Sequence, residues 1–425
     1  MAPGALDGVR VLEFSQIAAG PYCGVNLSDL GADVVKVEPR EGEHYRNVGA
    51  VVPREGKRFQ SLNRGKRAVA IDLKSERGQA VLHRLVPHFD VLMHNMRPGV
   101  PERLGVGYQQ LAALHPGLIY CEISAYGSEG PRAFDPATDG AMTAYSGLMS
   151  VIGRVDHEGT PQYTRPPIVD YATGLTSAMA IASALYHRER TGKGQLIQAS
   201  MLRTALSLLD YHVMDEPVSD SVTRDPMLAE IEEARAAGKP YRDQMAIRDR
   251  HRITEAGPPR LYYRSYQARD GAIALGCLTP PLRAAARAVL GVDDDGDSPD
   301  YDSTDPENET RFEQWKSQIE RTMGEKTVAE WMELFEAGGV PASPVRFPED
   351  LPEDEQVRAL GLMWDLEHPI TGPQRVAGPV VQMSETPTAV RGPAPAYAAD
   401  TDEVLLEHGF DAEELASLRE AGVIA

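Results

Sequence analysis

The sequence predicts a doubly wound α/β domain built on a mostly parallel sheet. Two observations predict it. Strand-like apolar runs alternate with helix-like segments through the first 200 residues, and the pattern changes character after about residue 215. Val9 to Phe14 reads as a buried strand, Pro21 to Leu30 as a helix and Asp33 to Glu38 as a second strand. Ala68 to Leu73 follows as a strand, then Ser75 to Phe89 as a helix with Ser75 at its N-cap, and Val91 to Met96 as a strand. Leu118 to Ser124 is a further strand, and Thr173 to Arg190 is a long helix with small residues along one side. Strands joined by helices lie parallel, with helices over both faces of the sheet.

Beyond residue 215 the signals differ. Asp220 to Arg260 is charged and lacks a clear apolar face. Tyr262 to Ala268 and Ala272 to Cys277 flank Arg269-Asp270-Gly271, a β-hairpin signature, because Asp-Gly supplies the left-handed backbone of a tight turn. Asp293 to Glu309 is Asp-rich and reads as a solvated insertion. It is no EF-hand loop, since Gly291 stands where the first carboxylate belongs if Gly296 is the turn glycine. Helical spacing returns at Glu313 to Met323 and Val328 to Glu336. Glycine and proline accumulate from Gly372 to Pro395, suggesting an extended arm, and Asp411 to Glu420 closes the sequence as an amphipathic helix.

Sixty-three acidic residues against 43 basic give a net charge of −20, a balance that repels nucleic acid and anionic membrane surfaces. One basic cluster stands out: Lys57, Arg58, Arg64, Lys66 and Arg67. It reads either as a site for a small polyanion or as a solvated surface loop. The first residues carry no basic region followed by an apolar run, so no signal peptide is expected. The longest apolar stretch, Leu175 to Tyr186, is short and interrupted by polar residues, which argues against a membrane span. Three scattered cysteines, Cys23, Cys121 and Cys277, support neither a disulfide framework nor a metal site, and a reducing cytoplasm is expected.

Several mechanisms lose their usual sequence support. There is no G-x-x-x-x-G-K-[ST], and Ala18-Ala19-Gly20-Pro21 follows the first strand where a dinucleotide fold would carry G-x-G-x-x-G. H-E-x-x-H and G-x-S-x-G are also absent.

A set of segments in consistent order resembles the family III CoA-transferases. They are Leu6-Asp7-Gly8-Val9-Arg10-Val11-Leu12-Glu13-Phe14, Ala19-Gly20-Pro21 and Leu30-Gly31-Ala32-Asp33-Val34-Val35-Lys36-Val37-Glu38, then Asn63-Arg64-Gly65-Lys66-Arg67 with Ile71-Asp72-Leu73-Lys74. Asn95-Met96-Arg97-Pro98-Gly99, Arg103-Leu104-Gly105, Thr191-Gly192-Lys193-Gly194-Gln195 and Thr401-Asp402-Glu403-Val404-Leu405 extend it over nearly the whole chain. The resemblance implies a Rossmann-like large domain from residues 1–215 and 341–425. A smaller α+β domain, residues 216–340, would be inserted between them, and two chains would thread together as an interlocked-ring homodimer.

The resemblance also implies a chemistry. The family's nucleophile lies in a D-x-x-[TA]-G pattern, here Asp170-Tyr171-Ala172-Thr173-Gly174. A carboxylate is needed because it must both attack an acyl-CoA thioester and then carry CoA itself as an aspartyl thioester. Read without the resemblance, Asp170 would cap the helix after it. Asp139, in Thr138-Asp139-Gly140, would orient or repel a substrate carboxylate or help move a proton; read alone, it too is a helix cap. Thr138 stands where racemases of the family place a catalytic histidine, which disfavours an α-methylacyl-CoA racemase. A CoA-binding protein without catalysis is the other alternative. By resemblance, Ile17, Ala18, Leu73, Lys74, Asn95, Arg97 and Arg103 would line the coenzyme A site, with an acyl-CoA and a carboxylic acid as substrates and no metal. Two departures matter. Pro39 stands where some relatives carry a phosphate-binding arginine, leaving Arg40 as a substitute, and Ala18 stands where formyl-CoA transferase has a glutamine.

Overall fold

The computed structural model describes residues 2–256, 259–302 and 305–425. Two compact units emerge, one from Met1–Val155, Pro161–Met214 and Glu355–Ala425, the other from Asp156–Thr160 and Asp215–Asp354.

The first unit opens with β1 (Arg10–Phe14), α1 (Ala19–Asp29), β2 (Asp33–Glu38), α2 (Lys57–Asn63), β3 (Arg67–Ala70), α3 (Glu76–Leu85) and β4 (Val91–His94). It continues through α4 (Val100–Arg103), α5 (Tyr108–Leu114), β5 (Ile119–Ser124), α6 (Asp139–Tyr145), α7 (Leu148–Ile152), α8 (Ile168–Thr191), β6 (Gln195–Ser200) and α9 (Met201–Leu209). The six strands pair in the order β3-β2-β1-β4-β5-β6, every neighbouring pair parallel. Side chains alternate across this sheet as the pleat requires. Val11, Val34, Val91 and Ile119 pack with α1 and α8, while Leu12, Val35, Leu92 and Tyr120 pack with α3. Both faces are therefore covered, as the sequence predicts. Ser75 caps α3 by accepting from the Gly78 N–H.

Later segments complete the same core. Helices Thr401–Glu407 and Ala412–Glu420 place Val404, Leu405, Phe410, Leu415 and Leu418 among the residues over the α3 face. Ile424 bridges Ile71 just past β3. Met363–His368 and Gly372–Ala377 form an antiparallel hairpin, so the expected arm is strand in its first six residues. Its register alternates exposed and half-buried side chains, a pattern that proline and glycine obscured.

The second unit holds a three-stranded antiparallel sheet, Ser265–Gln267, Ala272–Leu275 and Ala342–Pro344, in that order. The first two strands are the hairpin expected around Asp270-Gly271. Tyr262, Ile273, Phe312, Trp331 and Phe335 form its core. Asp220 to Arg260 contains helices Arg224–Ala236 and Tyr241–Ala256. They carry no apolar stripe strong enough to read because ion pairs join them: Glu230 meets Arg250 and, at 3.0 Å, His251. Within Asp293 to Glu309, Asp294 is buried and bonded by Tyr262 and Arg287, and Asp297 is held by Arg283 and Arg287. That part of the segment is structural rather than solvated. Gly257 and Pro258 in the first segment, and Ser303 and Thr304 in the second, lie outside the described residues.

Candidate active site

Strand order reverses between β1 and β4, and a crevice opens there beyond the carboxyl ends of the strands, where open parallel sheets take their ligands. Two segments form it: Ser15–Ala18 after β1 and Asn95–Arg97 after β4. The Asn95 side chain joins them. Its amide nitrogen donates to the Gln16 carbonyl at 2.7 Å and its oxygen accepts from the Gln16 N–H at 2.9 Å. Both groups of Asn95 are thus occupied by backbone. Beneath Asn95, His94 is buried and accepts from the Met96 N–H at 3.2 Å, and burial pushes its pKa down to about 4.

Ile17 adopts φ +73°, a left-handed conformation that a β-branched residue seldom takes and that costs on the order of 1–3 kcal/mol. Its N–H donates to Glu43 at 2.8 Å. Next to it, Ala18 is buried and stands at the N-cap of α1.

Two cavities meet at this turn. One, about 530 Å3, runs past Ile17, Pro39, Leu73, Lys74, Asn95 and Arg97. The other, about 430 Å3, is lined by Ile17, Ala18, Asn95, Arg97, Thr138 and Asp170. Ile17, Asn95, Met96 and Arg97 border both. The structure therefore brings together Asp170, Ile17, Ala18, Leu73, Lys74, Asn95 and Arg97. Arg103 lines neither cavity; it ends α4 with its side chain exposed. Arg40 likewise lines neither, although Pro39 does. Among the described residues, Lys74 and Arg97 are exposed cations with no ion-pair partner. A larger cavity of about 760 Å3 between α1, α2 and the Met363–Ala377 hairpin contains none of these residues.

Asp170 is the third residue of α8, whose N-cap is Pro167, so it does not cap its own helix. That task falls to Asp139, the first residue of α6, whose carboxylate accepts the Asp170 N–H at 3.0 Å. Asp139 thereby satisfies a helix-start donor of α8 from a neighbouring helix rather than capping α6, where Thr138 is the N-cap. Burial, and then the charge of Asp139, pushes the Asp170 carboxyl up from 3.8 to about 7. Perturbed carboxyls in clefts mark functional sites. The rest of the Asp170 pattern serves packing. The Thr173 hydroxyl bonds the Val169 carbonyl at 2.7 Å. A Cβ on Gly174 would lie 2.7 Å from the Ala19 carbonyl oxygen, so only glycine lets α8 cross α1 this closely.

The basic cluster is mostly consumed inside the fold, which corrects the reading of it as a polyanion site. Arg64 forks onto Asp29, Lys66 is buried against Glu13 at 2.8 Å, and Arg67 bonds Asp33 and Glu407. Lys57 and Arg58 alone stay exposed. Sequence reading also missed the alternating array Lys66–Glu13–Lys36–Glu43. A usable signal was there: Glu13 and Lys36 interrupt strands that are otherwise apolar. Burial raises the Glu13 carboxyl, yet Lys66 and Lys36 hold it below the ordinary value. Burial lowers Lys66, to about 8, against the pull of Glu13.

This arrangement, an open parallel sheet with a carboxyl of raised pKa at the end of a crevice, defines a class that comparison with known proteins makes definite. The chain belongs to CoA-transferase family III, whose family model matches residues 6–401. It is a CoA-transferase. Among its relatives, a succinyl-CoA:glutarate CoA-transferase of Mus musculus is 30% identical over 404 residues, 95% of this chain and 86% of the relative. A formyl-CoA:oxalate CoA-transferase of Rhodopseudomonas palustris is 31% identical over 426 residues, 99% of this chain and 97% of the relative. The solved structure of a CAIB/BAIF family protein from Brucella suis superposes with a TM-score of 0.74 at 27% identity, over 96% of this chain and all of that one.

Proposed function

We propose that the protein moves CoA from an acyl-CoA thioester to a free carboxylic acid through an aspartyl-CoA thioester on Asp170. The observation that carries this is the Asp170 carboxyl, raised to about 7, in the lining of a cavity that shares Ile17, Asn95, Met96 and Arg97 with the groove bearing Lys74. Ionised Asp170 attacks the thioester carbonyl carbon, the C–S bond breaks, and CoA leaves as thiolate from a mixed anhydride. The thiolate then attacks the aspartyl carbonyl and displaces the acyl group as its carboxylate. An incoming carboxylate reverses both steps. Ile17, Ala18, Leu73 and Asn95 shape the CoA path, and Lys74 and Arg97 take phosphate oxygens. Arg103, exposed at the end of α4, would reach the phosphates only from outside the groove. Asp139 fixes the start of α8 and adds its charge to the burial that raises the Asp170 carboxyl. No histidine lines the Asp170 cavity among the described residues, and Thr138 offers no base, so racemisation is not favoured.

The protein acts as an interlocked-ring homodimer in which residues 216–340 form the smaller domain, and it works in the cytoplasm. Support for the dimer is the large apolar side chains that the first unit leaves exposed, among them Met179, Tyr186, Tyr211 and Met214, each at least 60% exposed. Incubation with an acyl-CoA and no acceptor, followed by hydroxylamine and peptide mass spectrometry, tests the mechanism. A hydroxamate on Asp170 is expected. Turnover with no trapped adduct at Asp170 overturns it.

A further inference from the structure

The alternating array beneath the β1–α1 turn has no role in the steps above. Lys66, Glu13, Lys36 and Glu43 are all buried, and two positive and two negative charges leave the array neutral. Lys66 meets Glu13 at 2.8 Å, Lys36 meets Glu13 at 3.3 Å, and Lys36 meets Glu43 at 2.6 Å. Buried ion pairs seldom stabilise a fold more than well-packed apolar side chains would, so stability alone does not account for four such groups.

What the array holds is the turn. Lys66 donates to the Pro21 carbonyl at 2.9 Å and Lys36 to the Ser15 carbonyl at 2.8 Å. Glu43 accepts the Ile17 N–H at 2.8 Å. Glu43 is itself fixed, because its N–H bonds Glu38, whose carboxylate is forked by Arg46 at 2.7 and 2.6 Å. Ile17 is the left-handed residue that borders both cavities. A β-branched side chain in that conformation returns to an extended one unless its backbone is held.

We infer that Glu43 is a positioning residue for CoA transfer: through the Ile17 N–H it holds Ile17 in place as the partition between the CoA groove and the Asp170 cavity, and the bond from its own N–H to Glu38 fixes its backbone. The inference rests on the transferase reading. It requires that CoA affinity depend on a carboxylate that touches no ligand.

Two double variants separate positioning from stability. Lys36→Met with Glu43→Leu keeps the array neutral and removes the acceptor of the Ile17 N–H. Lys36→Met with Glu43→Gln keeps an oxygen acceptor there. The Leu variant is expected to melt within a few degrees of wild type while the acyl-CoA KM and the calorimetric Kd for CoA both rise about tenfold, as loss of one hydrogen bond to a charged acceptor implies. The Gln variant stays within about twofold of wild type. Parental CoA affinity in a folded Leu variant overturns the inference, and so does equal loss in both variants. On the unmodified protein, amide hydrogen exchange should find the Ile17 N–H strongly protected without ligand. Exchange there at the rate of an open loop overturns the inference whatever the variants do. A wild-type protein that binds no CoA would instead remove the transferase reading itself.

Discussion

Replacing Asp139 by Asn separates two tasks of one carboxylate. The amide oxygen still accepts the Asp170 N–H, bonded at 3.0 Å in the parent, while the charge beside the Asp170 carboxyl disappears. Only the ionised carboxyl attacks a thioester. Wild-type kcat/KM should therefore fall on the acid side of an apparent pKa near 7, about tenfold for each further pH unit. Displacement from 3.8 to about 7 opposes the ion by at most about 4 kcal/mol. Burial is the larger cause and persists in Asp139→Asn, so the variant removes the lesser share, less than half of the displacement, and moves the acid limb toward lower pH without restoring the ordinary carboxylate value. Stability follows with a definite sign. Between the unfolded and folded pKa values the native state keeps a proton that the unfolded chain has lost, so stability from this group is full below about 4 and is lost as pH rises through about 7. Asp139→Asn should then raise the melting temperature at pH above 7 and leave it unchanged near pH 4. Initial rates of CoA-thioester exchange across this range give the limb, and thermal melts give the stability. An acid limb that does not move in Asp139→Asn, or a wild-type limb at the ordinary carboxylate pKa, would refute the electrostatic coupling of the two residues.

Other expectations follow from the same geometry. Asp170→Ala and Asp170→Asn should leave below about one per cent of transfer, a loss above about 3 kcal/mol in the transition state, with CoA still bound by calorimetry; substantial activity in Asp170→Ala removes the nucleophile. Lys74→Ala and Arg97→Ala should each weaken CoA severalfold at low salt and less at high salt, since exposed cations are screened. Arg103→Ala, outside both cavities, should change affinity by less than about twofold. Light scattering after chromatography should give twice the chain mass at micromolar concentration, and an active species at the monomer mass would contradict the dimer.

The strands and helices that build the crevice were legible because each is a short apolar run or a capped amphipathic segment, as in Val91–His94 or Ser75 before α3. Edge strand β6 was not, because Gln195, Gln198 and Ser200 break up its apolar residues in a stretch of only six. The carboxyl at Asp170 was legible through its motif, whereas its environment was not. That Asp139 caps the helix carrying Asp170 depends on a contact between residues 31 apart in sequence. The basic cluster misled for the converse reason: its partners Asp29, Glu13 and Glu407 lie far enough away in sequence that pairing could not be read locally.

The closing of the sheet by Val404, Leu405, Phe410, Leu418 and Ile424 has a consequence during synthesis. Strands β1 to β5 and α3 leave the ribosome early, yet the part of their shared core that these five residues cover stays open until residues 401–425 emerge. At roughly 5–20 residues per second that interval lasts tens of seconds. Through it the nascent chain carries an exposed apolar face and an unpaired edge at β3, a natural client for a holding chaperone. A premature stop before residue 400 should therefore yield not a smaller working domain but an aggregating fragment.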